Sequence, residues 1–358
     1  MLRIGIVGLP QSGKTTLFQI LTRTHGSGSG RQEARVGVVR VPDPRLDRLI
    51  EMFKPQKNVY ATIEYIDMPG SVIELARTGV QSQALRELDA LVHVVRAFKD
   101  ESVPMEEDTV DPRRDIENVE LELILSDLAV VEKRLERLEK DIKKQKNPAL
   151  EKEFQVLKVC KAALDKQTPL REVELGAEDS KVIRGFTFLS LKPMLYVLNL
   201  GEGDAAKANL ADQFAAQAGL KQRLRTGASA ICGKVEAELA EMSDADAAEF
   251  LSSYGLKESA TSRLINASYQ LLGLISFFTV GEDECRAWTI RAGMTAIEAA
   301  GEIHSDIQRG FIRAEVTRYD DLIATGSFAE ARNRALLRLE GKEYVVHDGE
   351  IVHFRHAS

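Results

Sequence analysis

The sequence predicts an α/β fold in which a large N-terminal domain precedes a smaller C-terminal one. In the N-terminal part, apolar segments of strand length alternate with segments of helical periodicity, starting at Ile4–Val7. From Leu121 onward, apolar residues recur at alternating spacings of three and four, a pattern typical of packed helices. After about residue 275, strand-like segments surround one helical segment. We therefore predict domains at residues 1–274 and 275–358, with a helical insertion at about 113–170.

Composition and charge are those of an ordinary globular protein. Of the 358 residues, 44% are hydrophobic and 29% charged, and the formal net charge is −7. This acidic balance argues against DNA as a partner and limits any RNA contact to a local basic patch. The three cysteines are scattered, which indicates a reducing compartment and no zinc site. No apolar run approaches the roughly 18 residues of a membrane span, and the chain starts directly in a strand, so we expect a cytoplasmic protein with no membrane partner.

A complete G-x-x-x-x-G-K-[ST] motif follows the first predicted strand. It reads GLPQSGKT at residues 8–15, and the apolar residues after it recur at helical spacing. Position between a strand and a helix is the context that identifies a P-loop. In such a loop the backbone N–H groups surround phosphate oxygens, Lys14 reaches the β- and γ-phosphates and Thr15 ligates Mg²⁺. The predicted phosphate-binding residues are Gln11, Ser12, Gly13, Lys14, Thr15 and Thr16.

A second motif for the phosphate side ends the predicted strand at residues 61–67. The sequence ATIEYIDMPG alternates and is rich in β-forming residues up to Asp67. Small GTPases use an Asp at a strand end, followed by x-x-Gly, to place a carboxylate near Mg²⁺ and an amide near the γ-phosphate. We predict that Asp67 binds the metal together with Thr15, and that Gly70 contacts the nucleotide.

The expected base-reading segment differs from that of guanine-specific proteins. A predicted strand within KPMLYVLNLGE ends in NLGE at residues 199–202, where GTPases usually carry N-K-x-D. Their Asp accepts two hydrogen bonds from guanine, whereas the Glu202 carboxylate lies one methylene further from the backbone. A buried polar mismatch of this kind costs about 1–3 kcal/mol. The sequence therefore weakens guanine specificity, unless these residues form a strand-end turn with no ligand role.

The chain resembles the YchF/Obg-like ATPase family over nearly its whole length. The resemblance rests on GIVGLPQSGKTTLF, GVVRVPDPRLDRL, DALVHVVRAF, KPMLYVLNLGE, ICGKVEAEL and RLINASYQLLGLISFFTVGEDECRAWTI. It implies a P-loop NTPase with an Obg-type G domain, a coiled-coil insertion and a C-terminal β-grasp TGS domain. It also implies Mg²⁺-dependent binding and slow hydrolysis of ATP in preference to GTP, and association with the ribosome or its large subunit. The nucleotide contacts that it implies are Asn199, Leu200, Glu202 and Cys232.

Three departures from the family cluster on the γ-phosphate side. No Ser or Thr occurs at residues 30–61, where the family has a Thr that ligates Mg²⁺. After DMPG the family's Gly/Lys-rich stretch is missing or shortened, and Ser71 stands where small GTPases have a water-positioning Gln. The loop that carries the family's proposed catalytic His reads KDESVPMEEDTVDP, with Pro104 and Met105 at the best-aligned positions. We expect binding to be retained and hydrolysis to be weak, and no catalytic residue is assigned.

Three functional hypotheses follow from these observations. The favoured one is an ATPase that acts as a ribosome-associated switch and whose catalysis is slow or depends on K⁺ or a partner. The first alternative is a nucleotide-binding module with little or no hydrolysis. The second is a GTP-binding protein, against which Leu200 and Glu202 argue. The nearest substitutes for a catalytic His are the acidic residues Glu106, Glu107 and Asp108.

The helical insertion is predicted to be an antiparallel hairpin. Its first helix ends before Asn147-Pro148, and a second apolar run starts at Leu150. The connecting segment, KDIKKQKNP, is rich in lysine and is either a solvated turn or a contact for RNA or protein.

The C-terminal segment is predicted to be a small β-grasp unit. Strands at ISFFTVG and CRAWTIRAG precede a helix that a Thr295–Glu298 capping box opens and Gly310 ends. A strand at FIRAEVT and a hairpin around Asp348-Gly349 follow. We expect His304 to be structural. Four arginines form either a basic patch or an ordinary solvated face: Arg332, Arg334, Arg338 and Arg355.

Overall fold

The computed structural model describes residues 2–24, 34–77, 79–104, 109–204, 210–253 and 258–357. The strands are β1 Arg3–Val7, β2 Arg35–Arg40, β3 Lys57–Val59, β4 Thr62–Asp67, β5 Ala90–Ala97, β6 Met194–Leu200, β7 Thr226–Ile231, β8 Leu274–Val280, β9 Glu284–Arg291, β10 Phe311–Thr317, β11 Arg338–Glu340 and β12 Ile351–His356. The helices are α1 Lys14–Thr22, α2 Pro44–Phe53, α3 Val72–Arg77, α4 Gly79–Arg86, α5 Pro112–Lys144, α6 Pro148–Leu164, α7 Ala177–Ile183, α8 Leu210–Gln217, α9 Gly233–Glu241, α10 Asp244–Ser253, α11 Ala260–Leu271, α12 Ala296–Ile303, α13 Ser305–Arg309, α14 Tyr319–Thr325 and α15 Phe328–Asn333.

The chain folds into two compact units that interleave along the sequence. The first comprises Met1–Gly37 and Glu64–Ala267, and the second comprises Val38–Ile63 and Ser268–Ser358. The segment 38–63 thus belongs with the C-terminal residues, although the sequence pattern placed it in the N-terminal domain. Within the second unit, β3 pairs in parallel with β9, and Arg45 donates hydrogen bonds to both Asp43 and Asp348. These contacts join residues that are far apart in the sequence. Hydrophobic periodicity alone therefore did not reveal that residues 38–63 belong to the second unit.

The first unit contains the sheet with strand order β2-β4-β1-β5-β6-β7. The β1–β4, β1–β5, β5–β6 and β6–β7 pairs are all parallel. Parallel strands are buried on both faces and read as continuous apolar runs, as in β6, where every residue is buried. In sheets of this type, ligands bind outside the carboxyl ends of the strands. The segments after β1, β4, β5 and β6 all leave that edge.

The helical insertion is a hairpin of α5 and α6, as predicted. Asp111 caps α5 and Asn147 caps α6, each followed by proline at the start of the helix. The seam residues Val131 and Leu138 are fully buried, whereas Leu121 is 37% exposed and lies outside the seam. Burial of each aliphatic side chain contributes about 1.5–3 kcal/mol. Lys143, Lys144 and Lys146 at the hairpin tip are exposed.

A buried ionic cluster fixes the base of the hairpin to the sheet. The Arg171 guanidinium is fully enclosed and donates hydrogen bonds to the Glu120 carboxylate of α5 and the Tyr196 hydroxyl of β6. The Tyr196 hydroxyl also donates to Glu120. Burial is the main cause that raises the pKa of Tyr196 well above its usual value. The cluster therefore pairs one buried cation with one buried carboxylate.

The second unit is built on the sheet with strand order β11-β10-β12-β8-β9-β3. Strands β8, β9 and β10 lie where the sequence predicted them, and the Thr295–Glu298 capping box opens α12. The helix does not continue to Gly310, because the extended backbone at His304 ends α12 and begins α13. The His304 Nδ1 accepts a hydrogen bond from the Asp306 backbone N–H at 3.1 Å, which confirms a structural role.

The predicted hairpin around Asp348-Gly349 is wrong. Strand β12 pairs antiparallel with β10 and parallel with β8, so its partners are distant in sequence. The Asp348 carboxylate accepts hydrogen bonds from the Ser276 backbone N–H and from Arg45. Asp348 and Gly349 do form a local turn, with φ 82° at Gly349, but β12 after the turn pairs with β10 and β8, and the Asp348 side chain serves long-range contacts.

The arginines of the predicted basic patch all have acidic partners. Arg332 and Arg355 contact Glu315, Arg334 contacts Glu330, and Arg338 contacts Glu340 and Glu350. Paired arginines of this kind favour the solvated face over a site for nucleic acid. Within the described parts of the chain, no helix is both long enough and apolar enough to cross a membrane.

Candidate functional site: a phosphate loop with an adjoining cavity

The P-loop connects β1 to α1 in a conformation that depends on glycine. Gly13 has φ 98°, and a Cβ placed there would lie 2.2 Å from the Asn199 side-chain nitrogen. Gly8 also has positive φ, at 155°. The N-terminus of α1, at Gly13, has no side-chain cap, so its N–H groups are available to an anion. These features confirm the loop geometry that the motif predicted.

Lys14 folds back over the loop. Its ammonium donates hydrogen bonds to the carbonyl oxygens of Gly8 at 3.1 Å and Leu9 at 2.9 Å. The positive charge therefore lies beside the loop backbone, the place in which the motif predicts a lysine for the phosphates.

The two predicted metal-side residues, Thr15 and Asp67, lie together. The Thr15 hydroxyl donates a hydrogen bond to the Asp67 Oδ2 at 3.3 Å, and Asp67 is only 6% exposed. A hydroxyl and a carboxylate are hard oxygen donors that suit Mg²⁺. Because the remaining ligands of Mg²⁺ in such sites are waters and phosphate oxygens, a two-residue donor set fits. Arg35 also contacts the Asp67 carboxylate.

The residues after Asp67 lead into α3, which starts at Val72. Gly70 has φ 81°, which accounts for glycine there. Ser71 is 8% exposed, and its hydroxyl accepts a hydrogen bond from the Ile73 backbone N–H at 3.3 Å. The Ser71 hydroxyl thus serves the helix start, in agreement with the expectation that it does not replace a water-positioning Gln.

A cavity of about 560 Å³ adjoins the P-loop. Six of the predicted contact residues line it, namely Gln11, Gly13, Thr16, Asn199, Leu200 and Glu202. The cavity is also lined by residues that were not predicted as contacts: Phe98, Lys99, Asp100, Val103, Gly201, Gly233 and Lys234. Its size falls in the range of pockets for small ligands. The predicted residues Ser12, Lys14, Thr15, Gly70 and Cys232 do not line this cavity.

Asn199 joins the nucleotide segments to one another. Its side-chain amide donates to the Ser12 carbonyl at 3.0 Å, and its amide oxygen accepts from the Gly233 N–H at 3.1 Å. The predicted residue Cys232 is buried at the start of α9, and burial raises the pKa of its thiol. Asn199 therefore links the P-loop to the start of α9.

A charged group lies at the rim of the cavity. Lys234 lies 3.2 Å from the Glu202 carboxylate and 3.3 Å from that of Asp100. Hydrogen bonds from Ser102 are the main cause that lowers the pKa of Asp100 to about 2. The hydrogen bond with Glu202 is the largest of those that raise the pKa of Lys234. Lys234 therefore links the Glu202 and Asp100 carboxylates at the cavity rim.

Arg96 holds the loop that follows β5. Its guanidinium donates to the carbonyl oxygens of Pro104 at 2.8 Å, Val103 at 3.0 Å and Phe98 at 3.3 Å. It also lies 4.5 Å from the centre of the Phe98 ring. Pro104, at the position expected for a catalytic His, thus faces Arg96 through its carbonyl. Met105, Glu106, Glu107 and Asp108 lie outside the described residues.

Phe98, Asp100 and Lys234 are site residues that the sequence reasoning missed. Phe98 and Asp100 follow β5, whose carboxyl end lies between those of β1 and β6. Loops after adjacent parallel strands meet at the edge of the sheet where ligands bind. Phe98 and Asp100 could therefore have been predicted from their position after β5. Lys234 lies two residues after Cys232, which was predicted as a nucleotide contact.

Comparison with known proteins identifies the family. Residues 3–126 match a family model described as "50S ribosome-binding GTPase", and residues 274–357 match YchF-GTPase_C, described as "Protein of unknown function (DUF933)". A protein of Bacillus subtilis (strain 168), named Ribosome-binding ATPase YchF, is 42% identical over 362 residues, covering 99% of both chains. The chain belongs to the YchF family.

Further YchF comparisons extend over the same length. The Ribosome-binding ATPase YchF of Escherichia coli O157:H7 is 38% identical over 360 residues, covering 98% of both chains. The structure of the Schizosaccharomyces pombe YchF GTPase matches with a TM-score of 0.85 at 30% identity, covering 99% of this chain and 97% of that one. The predicted family and its P-loop α/β fold are confirmed. The assignment of the C-terminal unit as a TGS domain stays a prediction.

Proposed function

We propose that this YchF-family protein binds Mg²⁺–ATP at the P-loop and in the adjoining cavity, and hydrolyses it slowly. The observation that carries the proposal is the continuity between the loop and a cavity lined by Gln11, Gly13 and Thr16 on one side and by Asn199–Glu202 on the other. A nucleoside triphosphate needs this combination of an anion cradle and a pocket for its base.

In the proposed complex, the chain supplies most of the charge stabilisation from the P-loop. Backbone N–H groups at the start of α1 and the Lys14 ammonium bind the phosphates, while Thr15 and Asp67 hold the metal. Bound Mg²⁺ neutralises phosphate charge and fixes the orientation of the triphosphate. Gly70 lies at the strand end that faces the γ-phosphate in proteins of this class. These groups bind and orient, but they do not remove a proton from water.

Slow hydrolysis follows from what surrounds the expected position of the attacking water. The Ser71 hydroxyl serves α3, and Pro104 has no side-chain group for proton transfer. General-base and water-positioning groups typically contribute about 10²–10⁴-fold to rate. In the part of the chain that the structure describes, Ser71 and Pro104 do not supply such a group, which is also what the alternative of a non-hydrolysing module requires. We favour slow turnover, dependent on K⁺ or a partner, because Lys14, Thr15 and Asp67 are retained together.

Single-turnover hydrolysis tests the proposed activity. Enzyme in excess over radiolabelled ATP, with Mg²⁺ and with either K⁺ or Na⁺, is expected to release phosphate slowly, and faster in K⁺. Absence of release above the rate of a Lys14→Ala control in every salt would favour the non-hydrolysing module.

Pro104→His is expected to raise the single-turnover rate with ATP by about tenfold or more, since a general base contributes about 10²–10⁴-fold when correctly placed. Pro104→Ala is the matched control, because it relaxes the loop without adding an imidazole. An equal rise in both variants, or none in either, would contradict the hypothesis of a lost catalytic loop.

Adenine preference is proposed from Glu202 and Leu200 together. The Glu202 carboxylate is paired with Lys234 at the cavity rim, so a guanine edge would have to compete with an ammonium. The names of the relatives differ: the bacterial proteins are called ATPases, and the Schizosaccharomyces pombe protein is called a GTPase. The GTP-binding alternative therefore needs its own test.

Glu202→Asp combined with Leu200→Lys is expected to move the preference toward GTP by about tenfold or more, because it restores the bidentate acceptor and the lysine that packs over guanine. The readout is the ratio of ATP to GTP dissociation constants. Glu202→Gln is the control, since it removes the charge and leaves one acceptor oxygen in place of the two that bidentate pairing needs. An unchanged ratio in the double variant would show that these residues do not read the base.

A ribosomal role is proposed from the relatives, whose printed name is Ribosome-binding ATPase YchF. The family model over residues 3–126 carries the description of a 50S ribosome-binding GTPase. The exposed lysines at the hairpin tip suit a contact with RNA phosphates. We therefore propose a cytoplasmic switch that associates with the ribosome through its large subunit, with no DNA or membrane partner.

A further inference from the structure

We propose that Arg35 is a resident counter-ion of the Asp67 carboxylate that competes with Mg²⁺ and so sets the metal dependence of nucleotide binding. This inference rests on the proposed function, because it concerns the same triphosphate site. Arg35 belongs to the first unit and begins β2.

The contact is directed at one oxygen atom. The Arg35 Nη2 donates a hydrogen bond to Asp67 Oδ2, and the Thr15 hydroxyl donates to that same oxygen at 3.3 Å. The Arg35 guanidinium also lies 5.2 Å from the centre of the Phe18 ring. The Thr15–Asp67 oxygens expected to hold the metal thus already have a positively charged neighbour.

The ion pair between Arg35 and Asp67 is important because the Asp67 carboxylate is buried. The Asp67 side chain is 7% exposed and that of Arg35 is 33% exposed. A carboxylate this enclosed is costly to leave without a cation, and Arg35 supplies one in the metal-free protein. Packing against Phe18 holds the guanidinium in place, as cation–π contacts do.

Arg35 and Mg²⁺ compete for the Asp67 carboxylate. A carboxylate oxygen that ligates Mg²⁺ directs its lone pair to the metal at about 2.0–2.1 Å. A guanidinium hydrogen-bonded to the same oxygen would lie next to a divalent cation and be repelled by it. Charge repulsion between Arg35 and Mg²⁺ therefore weakens the Arg35 hydrogen bond to Asp67 Oδ2 when the metal binds, and the weakened bond opposes metal binding.

The sequence of this segment supports a changed role. Residues 30–61 contain no Ser or Thr, so no aliphatic hydroxyl from this segment can join the metal shell. Among the described residues of the segment, Arg35 is the one shown to contact Asp67, and it is a cation. The segment therefore contributes a competitor of the metal where a hydroxyl ligand was expected.

The expected consequence is a high Mg²⁺ requirement that Arg35 imposes. Loss of a hydrogen bond to a charged group typically shifts an equilibrium by about tenfold or more, so removal of the competitor lowers the Mg²⁺ concentration at half-maximal nucleotide affinity by about that factor. Affinity at saturating Mg²⁺ should change little, because in the proposed site Arg35 contacts the carboxylate and no phosphate. In EDTA the variants should bind the nucleotide more weakly than the wild type, since the Asp67 carboxylate then lacks a cation beside the phosphates.

The test measures the affinity of a fluorescent ATP analogue across a range of free Mg²⁺ concentrations, from EDTA to saturation. The variants are Arg35→Ala and Arg35→Gln, the second of which preserves more of the packing on Phe18. Arg40→Ala is the matched control, because it removes the same charge from the same strand, where Arg40 lies over the Tyr60 ring. Both Arg35 variants should shift the Mg²⁺ midpoint downward, and Arg40→Ala should not.

Two results would overturn the inference while leaving the proposed function intact. One is an unchanged Mg²⁺ midpoint in folded Arg35 variants. The other is weaker binding of the analogue by the Arg35 variants at saturating Mg²⁺, which would make Arg35 a ligand of the nucleotide. Absence of nucleotide binding by the wild type at saturating Mg²⁺ would overturn the proposed function, and this inference with it.

Discussion

Lys14→Ala is expected to abolish detectable binding of nucleoside triphosphate and to leave the melting temperature of the nucleotide-free protein nearly unchanged. The Lys14 ammonium lies over the P-loop, where it contacts the carbonyl oxygens of Gly8 and Leu9. Its loss removes the cation that binds the β- and γ-phosphates and leaves the buried sheet untouched. Calorimetric titration with Mg²⁺–ATP measures the first effect, and a thermal melt measures the second.

The control for this variant is Lys181→Ala. Lys181 is a surface lysine of the same unit and pairs with Glu178, so its removal changes the net charge equally without touching the loop. Unaltered affinity for ATP in Lys14→Ala would refute the assignment of the P-loop as the phosphate site. A large fall in melting temperature would mean that Lys14 has a structural role.

Arg171→Ala is expected to lower the free energy of unfolding by about 3–5 kcal/mol, because it leaves the Glu120 carboxylate buried without its cation. Arg171 is 1% exposed and contacts both Glu120 and Tyr196. The loss is a large fraction of the total stability of a typical protein, about 5–15 kcal/mol. Denaturant unfolding, followed by circular dichroism, gives the midpoint and slope from which the change is obtained.

Two comparisons separate the burial effect from a simple loss of an ion pair. Arg134→Ala breaks the more exposed pair with Glu153 and should cost at most about 1 kcal/mol. Arg171→Met combined with Glu120→Leu removes both charges and should recover most of the lost stability. A cost below about 1 kcal/mol for Arg171→Ala would contradict the view that this cluster fixes the hairpin to the sheet.

The phosphate side of the site could be predicted from the sequence because its geometry is local. A glycine-rich loop between a strand and a helix specifies its own backbone conformation, and the structure places Gly13 and Lys14 accordingly. Asp67 followed from the same logic, since a strand end determines where its last side chain lies. The Arg35 contact with Asp67 was not predictable, because it depends on the position of an edge strand.

The base side and the unit boundary depend on long-range contacts that leave little trace in periodicity. Phe98 and Lys234 reach one cavity from the ends of separate segments. Asp348 carries a strong local turn signal, yet its carboxylate binds Ser276 and Arg45. The place of residues 38–63 in the second unit likewise depends on the pairing of β3 with β9.

Calorimetric titration of the wild-type protein with ATP and with GTP, both in saturating Mg²⁺, tests the central claim most directly. The central claim is that the P-loop and its adjoining cavity bind a nucleoside triphosphate whose base is preferably adenine. The predicted result is one site per chain, with ATP bound at least as tightly as GTP and with both lost in Lys14→Ala. A strong preference for GTP, or the absence of binding by either nucleotide, would contradict it.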